Sequence, residues 1–281
     1  MNKFYIQIVF FLLSIFVYVN NKAFATDPAP IKHTTKPKTY CSTLEEIYEK
    51  NKHLLCSNPE ETTKAQELMT EAVKCLEKHA TSKNDYTSYR TDPSLRISLY
   101  KKKHKDETDI EKVFYTDYDP NKYDELINEI WDPKHESPFN NGSVKIVRVY
   151  DPSLVIIQQR YDKKILSRQK YFYALVKRAQ ISENKTIIVM TSANINDHNP
   201  SEDEYQNKII ENANLFKIDI DSEDDIRNGT LKKAFVNIAG YLIEKKNDKS
   251  EITYIESIDG HATIYQEFIV GKLFDYYFVR K

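Results

Sequence analysis

Glycine and cysteine are scarce in this chain, with five glycines and three cysteines in 281 residues. So little glycine argues against a glycine-rich loop that cradles phosphate with its backbone. The string G-x-S-x-G is absent, the seven histidines are scattered, and no serine or aspartate partner stands at a nucleophile elbow, so no enzymatic centre can be named. Neither C-x-x-C nor H-E-x-x-H occurs, which leaves no spacing for a metal site. Lys and Arg number 41 against 42 Asp and Glu, a net charge of -1 that gives no electrostatic footprint for nucleic acid. After residue 25 no apolar run is long enough to span a bilayer, and no internal repeat is visible.

What the N-terminus does hold is Lys3, an apolar run from Phe4 to Val19 and Ala23-Phe24-Ala25. One basic residue, a run shorter than a membrane span and an A-x-A site predict a cleaved signal peptide over residues 1–25, and hence a secreted protein. Residues 26–40 carry Pro28, Pro30 and Pro37 without periodicity and read as a disordered linker. Cys41, Cys56 and Cys75 permit one disulfide with one thiol left over, or three plain thiols; the pairing is open.

Ser42-x-x-Glu45 reads as a capping box opening a short N-terminal helix within 41–56, with Leu44, Ile47 and Tyr48 inward. Asn58 as cap, Pro59 at the first helical position, and Ala65, Leu68, Met69, Ala72, Val73 and Leu76 at helical spacing predict an amphipathic helix to about His79. Charge-rich strands follow near 86–90, 95–103 and 110–118, as the exposed edge of a sheet. Asp119-Pro120 starts a second helix carrying Tyr123, Leu126, Ile127, Ile130 and Trp131 on one face, and Asp132-Pro133 stops it.

The rest is mostly strand: 144–150, 154–161, the pair of arms within 169–195, 213–220, 234–244 and 251–258. The two arms flank the polar break Ser182 to Lys185 and form a long hairpin of about ten residues each, roughly 33 Å at strand rise. A sheet of such strands must twist and curve, which leaves a concave face to be filled. Thr263 to Arg280 has Tyr265, Ile269, Leu273 and Tyr276 at helical spacing and predicts a closing helix over that face. The layout is α+β, with one curved antiparallel sheet gripped by a terminal helix. Asn196-Asp197-His198 reads as a surface turn, the acidic run Asp219 to Asp225 as a solvated loop, and the sequons at Asn141, Asn184 and Asn228 as solvent-facing loops.

This order of elements resembles the START (steroidogenic acute regulatory protein-related lipid transfer) domain, a helix-grip fold. More closely, the chain resembles the fam-a proteins of rodent malaria parasites. The marks are MNKFYIQIVFFLLSIFVYVNNKA, STLEEIYEKNKHLLC (Ser42 to Cys56), Trp131-Asp132, RQKYFYAL (Arg168 to Leu175), TIIVMTSANINDH (Thr186 to His198) and VNIAGYLIEK (Val236 to Lys245). The resemblance implies a START-like lipid-binding domain over 57–281, with a hydrophobic tunnel under a long C-terminal helix. It implies a lipid-transfer protein, not an enzyme, that carries one phospholipid, phosphatidylcholine foremost, as cargo and no other cofactor. It also implies release into the parasitophorous vacuole and export to the host erythrocyte; a monomer in transient contact with membranes is the expected partner state.

Phosphatidylcholine-binding START relatives place an arginine three residues before the tryptophan, where this chain has Asn128. Their choline cage maps to Gln158, Tyr171 and Asn237, of which Tyr171 alone is aromatic. The lipid-contacting candidates are Trp131, Gln158, Arg160, Tyr171, Tyr173, Asn237, Tyr241 and Tyr254: Arg160 for phosphate, the others as neutral donors or apolar walls. The second reading is an interaction module whose tunnel has closed and whose tyrosine-rich surface binds a host-cell component.

Overall fold

A computed structural model describes residues 42–93, 96–105, 108–135, 142–163, 167–201 and 205–260. The expected leader 1–25, the linker 26–40, Cys41, Asn141 and the closing helix over 263–280 lie outside the described residues.

Four helices are described: α1 (Leu44–Asn51), α2 (Pro59–Thr81), α3 (Tyr123–Trp131) and the single turn α4 (Asp224–Arg227). The strands are β1 (Thr87–Asp92), β2 (Ile97–His104), β3 (Thr108–Asp117), β4 (Ser143–Asp151), β5 (Leu154–Arg160), β6 (Lys170–Ser182), β7 (Lys185–Thr191), β8 (Asn194–Asn196), β9 (Lys217–Asp219), β10 (Lys232–Lys233), β11 (Phe235–Lys245) and β12 (Ser250–Asp259). Short 3-10 turns span Lys52–Leu54, Pro120–Lys122 and Glu211–Leu215.

Among the described residues one antiparallel path runs β1-β2-β3-β12-β11-β7-β6-β5-β4, and β10 adds a parallel pair of residues beside β6. The last strand lies against the third, so segments far apart in sequence pair in the middle of the sheet. Bulges at Ser88/Arg90, Ile146/Arg148 and Val236/Ile238 bend the strands and increase their twist. The expected edge position holds for β1. At the other edge, Cys56 N–H donates to Val149 O at 2.8 Å and covers part of β4.

Both faces of the sheet are buried, which is why its central strands read as continuous apolar runs rather than alternations. On one face α2 lays Leu68, Met69, Ala72, Val73 and Leu76 against Tyr171, Tyr173, Leu175, Ile187 and Val189, together with apolar residues from 193–231. On the other, α1 and α3 cover Phe172, Ala174, Val176, Ile188, Met190 and Tyr241. The alternation along β6 therefore assigns successive residues of Tyr171-Phe172-Tyr173-Ala174 to opposite layers.

α2 forms as expected: the Asn58 side chain accepts from Glu60 and Glu61 N–H, and Pro59 opens the helix. Each fully buried Leu, Met or Val on its inner face stabilises by about 1.5–3 kcal/mol. The capping box of α1 lies one residue later than expected. Thr43 Oγ1 accepts from Glu46 N–H, and Glu46 Oε2 accepts from Thr43 N–H. Ser42 cannot serve because its own N–H is held by Asp132 Oδ2 at 2.9 Å.

Three expectations, one of a strand and two of loops, are corrected. Residues 213–220 do not join the main sheet, because β7 already pairs on both sides; they form a 3-10 turn and then β9, which runs parallel to β8. Asp197 is buried, not a surface turn, and holds Tyr171 and Lys233. Within the acidic run, Glu223 and Asp225 are bound to Arg160, while Asp221 and Asp224 face solvent. Asn184 and Asn228 are exposed. Cys56 and Cys75 are free thiols.

Candidate functional site

Beneath the C-terminal end of α3 lies a cavity of about 90 Å³, walled by Trp131, Val155, Ile157, Val176, Met190 and Tyr241 among others. Its shape follows from local rules. α3 stops at Trp131 because Pro133 disfavours helical geometry at Asp132, and this leaves the indole at the helix end facing the sheet. Alternation along β5, β6 and β7 presents Val155, Ile157, Val176, Ile188 and Met190 to the same layer. Gly240 lets β11 approach β7: a Cβ there would lie 2.1 Å from Ile188 O, at φ +148. Trp131 is buried, and its Nε1–H has no hydrogen-bond partner among the described residues.

The cavity adjoins a wider recess of about 590 Å³ between α1, the segment after α3, and β4. The two share Asp132, Pro133, Val144 and Ile146 as walls. Lys50, at the end of α1, and Lys134, after α3, both stand at this recess, as do Lys145 and Arg148. The last two are already paired, Lys145 with Glu223 at 2.9 Å and Arg148 with Glu61 at 2.6 Å.

The eight residues expected to contact lipid fall into separate groups. Trp131 and Tyr241 line the cavity. Tyr254 lies behind Tyr241, ring centroids 4.8 Å apart, and its hydroxyl donates to Glu256 Oε2 at 2.6 Å; full burial raises that phenol well above its ordinary range. Gln158, Arg160, Tyr171 and Tyr173 are on the opposite face, where they dock the 193–231 segment on the sheet. Gln158 Nε2 donates to Tyr173 OH at 2.6 Å and to Glu223 Oε2 at 2.7 Å. Tyr171 OH donates to Asp197 Oδ2 at 2.9 Å, and Lys233 Nζ donates to Asp197 Oδ1 at 3.0 Å. Burial pulls the Glu223 carboxyl upward, but hydrogen bonds from Gln158 and Lys145 outweigh it and take the pKa down to about 2.

Asn237 belongs with this second group: its Oδ1 accepts from Lys208 N–H at 3.0 Å. The three positions of the expected choline cage, Gln158, Tyr171 and Asn237, are thus held by hydrogen bonds to the 193–231 segment and do not line the cavity. Asn128, where the expected pattern would have an arginine, accepts from Arg178 Nη1 at 3.0 Å, so a guanidinium from β6 reaches the same helix. Sequence reasoning missed Lys50 and Lys134. Lysines on a helix end and after a helix look like solvated charges, and only the fold brings them to one recess.

No protein-family model matches the chain, and no curated protein matches it. Solved structures do. Human StAR-related lipid transfer protein 5 aligns at 13% identity over 78% of this chain and 93% of its own, with a TM-score of 0.50. Human STARD10 aligns at 11% identity over 73% of this chain and 74% of its own, with a TM-score of 0.48. The fold is START-like, a large curved antiparallel sheet with few helices.

Proposed function

We propose that this protein binds a lipid by its acyl chain in the cavity under Trp131 and carries it between membranes. The observation that supports this reading is an apolar cavity with one unpartnered donor, joined by shared walls to a polar recess. An acyl chain gains about 0.8 kcal/mol per buried CH2 on leaving water, but it gains the same in a bilayer. Exchange between membrane and protein is therefore nearly balanced and needs no energy source. The carrier works as a monomer in transient contact with membranes, and the leader-like run over residues 1–25 supports secretion, with the parasitophorous vacuole and host erythrocyte as its destinations.

A volume of about 90 Å³ accommodates part of one chain; cavities that take whole drug-sized ligands measure about 300–1,000 Å³. Loading a two-chain phospholipid such as phosphatidylcholine requires α3 and its following segment to part from the sheet. The same volume favours the second reading, a START-like module with a closed tunnel that binds a host-cell component. Denaturing mass spectrometry on protein made in a eukaryotic secretory system, together with vesicle-to-vesicle exchange, separates the two. Co-purified lipid and measurable exchange support the carrier; neither lipid nor exchange leaves the interaction module.

A further inference from the structure

We propose that the recess mouth is an anion site built from Lys50 and Lys134, and that the protein's ligand is an anionic single-chain lipid. Its carboxylate or phosphate head would sit between the two ammonium groups and its chain would enter the cavity under Trp131. The inference deepens the carrier reading by naming the ligand class, and rests on that reading.

Lys50 and Lys134 come from different elements, both are exposed at the recess, and among the described residues neither is ion-paired to a carboxylate. The neighbouring acid, Asp132, already accepts from Ser42 N–H at 2.9 Å with Oδ2 and from Lys134 backbone N–H at 2.9 Å with Oδ1. The contact and charge of Lys134 hold the Lys50 ammonium below its ordinary pKa, against a weaker pull from Asp132. The acids at the recess are already engaged, Asp132 by two backbone N–H groups, Glu46 by Thr43 N–H and Asp221 by Arg227, so a bound anion would add charge-assisted hydrogen bonds to two lysines that repel each other in the free protein.

The second observation is independent of charge. Trp131, a wall of the cavity that shares four residues with this recess, carries a buried Nε1–H donor without a partner among the described residues. Buried donors are costly when unmet, and an ester or acid oxygen close to the head of a lipid would meet this one. The cavity volume, about 90 Å³, admits part of one chain and leaves no room for a second. A free phosphate would satisfy the lysines but would leave the indole and the apolar walls unused.

Trp131 is the only tryptophan of the chain, so its fluorescence reports on the cavity directly. The full-length protein is titrated with lysophosphatidic acid, with lysophosphatidylcholine of the same chain, and with inorganic phosphate. We expect lysophosphatidic acid to shift Trp131 emission and to bind about ten-fold more tightly than lysophosphatidylcholine, the gain of one charge-assisted contact. The doubly reversed variant Lys50→Glu with Lys134→Glu, both at exposed positions, loses that preference while its thermal unfolding stays close to that of the unaltered protein.

Equal affinities in the unaltered protein, or a preference that survives the double variant, would overturn the anion site. Inorganic phosphate binding as tightly as lysophosphatidic acid, with no change in Trp131 emission, would overturn the lipid assignment. If neither single-chain lipid perturbs Trp131 but two-chain lipid still exchanges between vesicles, this inference fails and the carrier reading stands. Absence of both binding and exchange removes the two together.

Discussion

Arg160 grips Asp225 through two parallel hydrogen bonds, Nη1 to Oδ2 at 2.6 Å and Nη2 to Oδ1 at 2.9 Å. A guanidinium that sequence alone would assign to a lipid phosphate is spent on fastening a loop. Its charge is also shared with Glu223, at 3.3 Å. The pair clips α4 and the surrounding 193–231 segment to β5, on the face away from the cavity.

Replacing Arg160 by Ala should therefore loosen that segment and leave lipid binding intact. Asp225 is about 40% exposed, so solvent screening limits the loss to about 1 kcal/mol. Hydrogen exchange checks this: faster exchange within 193–231 and unchanged uptake are expected. Lost uptake with normal exchange would place Arg160 at the ligand after all.

Val176→Phe adds a ring to the cavity wall. Because the space already exists, stability should change by about 1 kcal/mol or less, while co-purified lipid and vesicle exchange disappear. Thermal unfolding and lipid extraction on the same preparation give both readouts. Normal exchange by a folded variant would mean that the chain lies elsewhere.

Gly240→Ala tests how closely β11 and β7 must approach. The added Cβ would meet Ile188 O at 2.1 Å and Val189 Cα at 2.8 Å, both backbone, at φ +148. The strands must separate, which should cost at least about 3 kcal/mol and leave little soluble protein. Urea unfolding within 1 kcal/mol of the unaltered chain would show that the sheet yields there at little cost.

His79 makes stability depend on pH. Burial first, and then the positive charges of Lys102, His104, Lys78 and Lys112, lower its pKa from 6.5 to about 4, and Tyr86 OH meets its Nδ1 at 2.9 Å. Between those two values the unfolded chain takes up a proton that the folded one refuses. The stability from neutral His79 is thus complete above pH 6.5 and falls away as pH drops toward 4, by about 3 kcal/mol. His79→Gln keeps an acceptor for Tyr86 and should flatten this part of the profile. Identical slopes for the two proteins across that window would show that another group carries the acid sensitivity.

Much of the architecture was legible in short windows. Asn58-Pro59 and the apolar stripe through Leu76 specify α2, and Asp132-Pro133 stops α3, because caps, proline geometry and helical spacing act within a few residues. The polar break after Ser182 marks the β6 and β7 hairpin for the same reason. Less legible was the 213–220 segment, whose alternating pattern satisfies a strand anywhere an extended chain is half buried. The buried state of Asp197 could not be read either, since its partners Tyr171 and Lys233 are 26 and 36 residues away.

What the sequence determined by itself is most of the helices and long strands and the two-faced character of β6, because periodicity and capping are local and the strand period of two separates Tyr171 from Phe172 wherever the strand goes. What tertiary structure alone decided is which face does what. Only the pairing of β12 with β3, and the docking of α1 and α3 on one side and α2 on the other, puts Trp131 and Tyr241 in the cavity wall while assigning Arg160, Tyr171 and Tyr173 to holding a loop. The physical reason is that a side chain's role depends on the partner that desolvates it, and those partners come from distant parts of the chain.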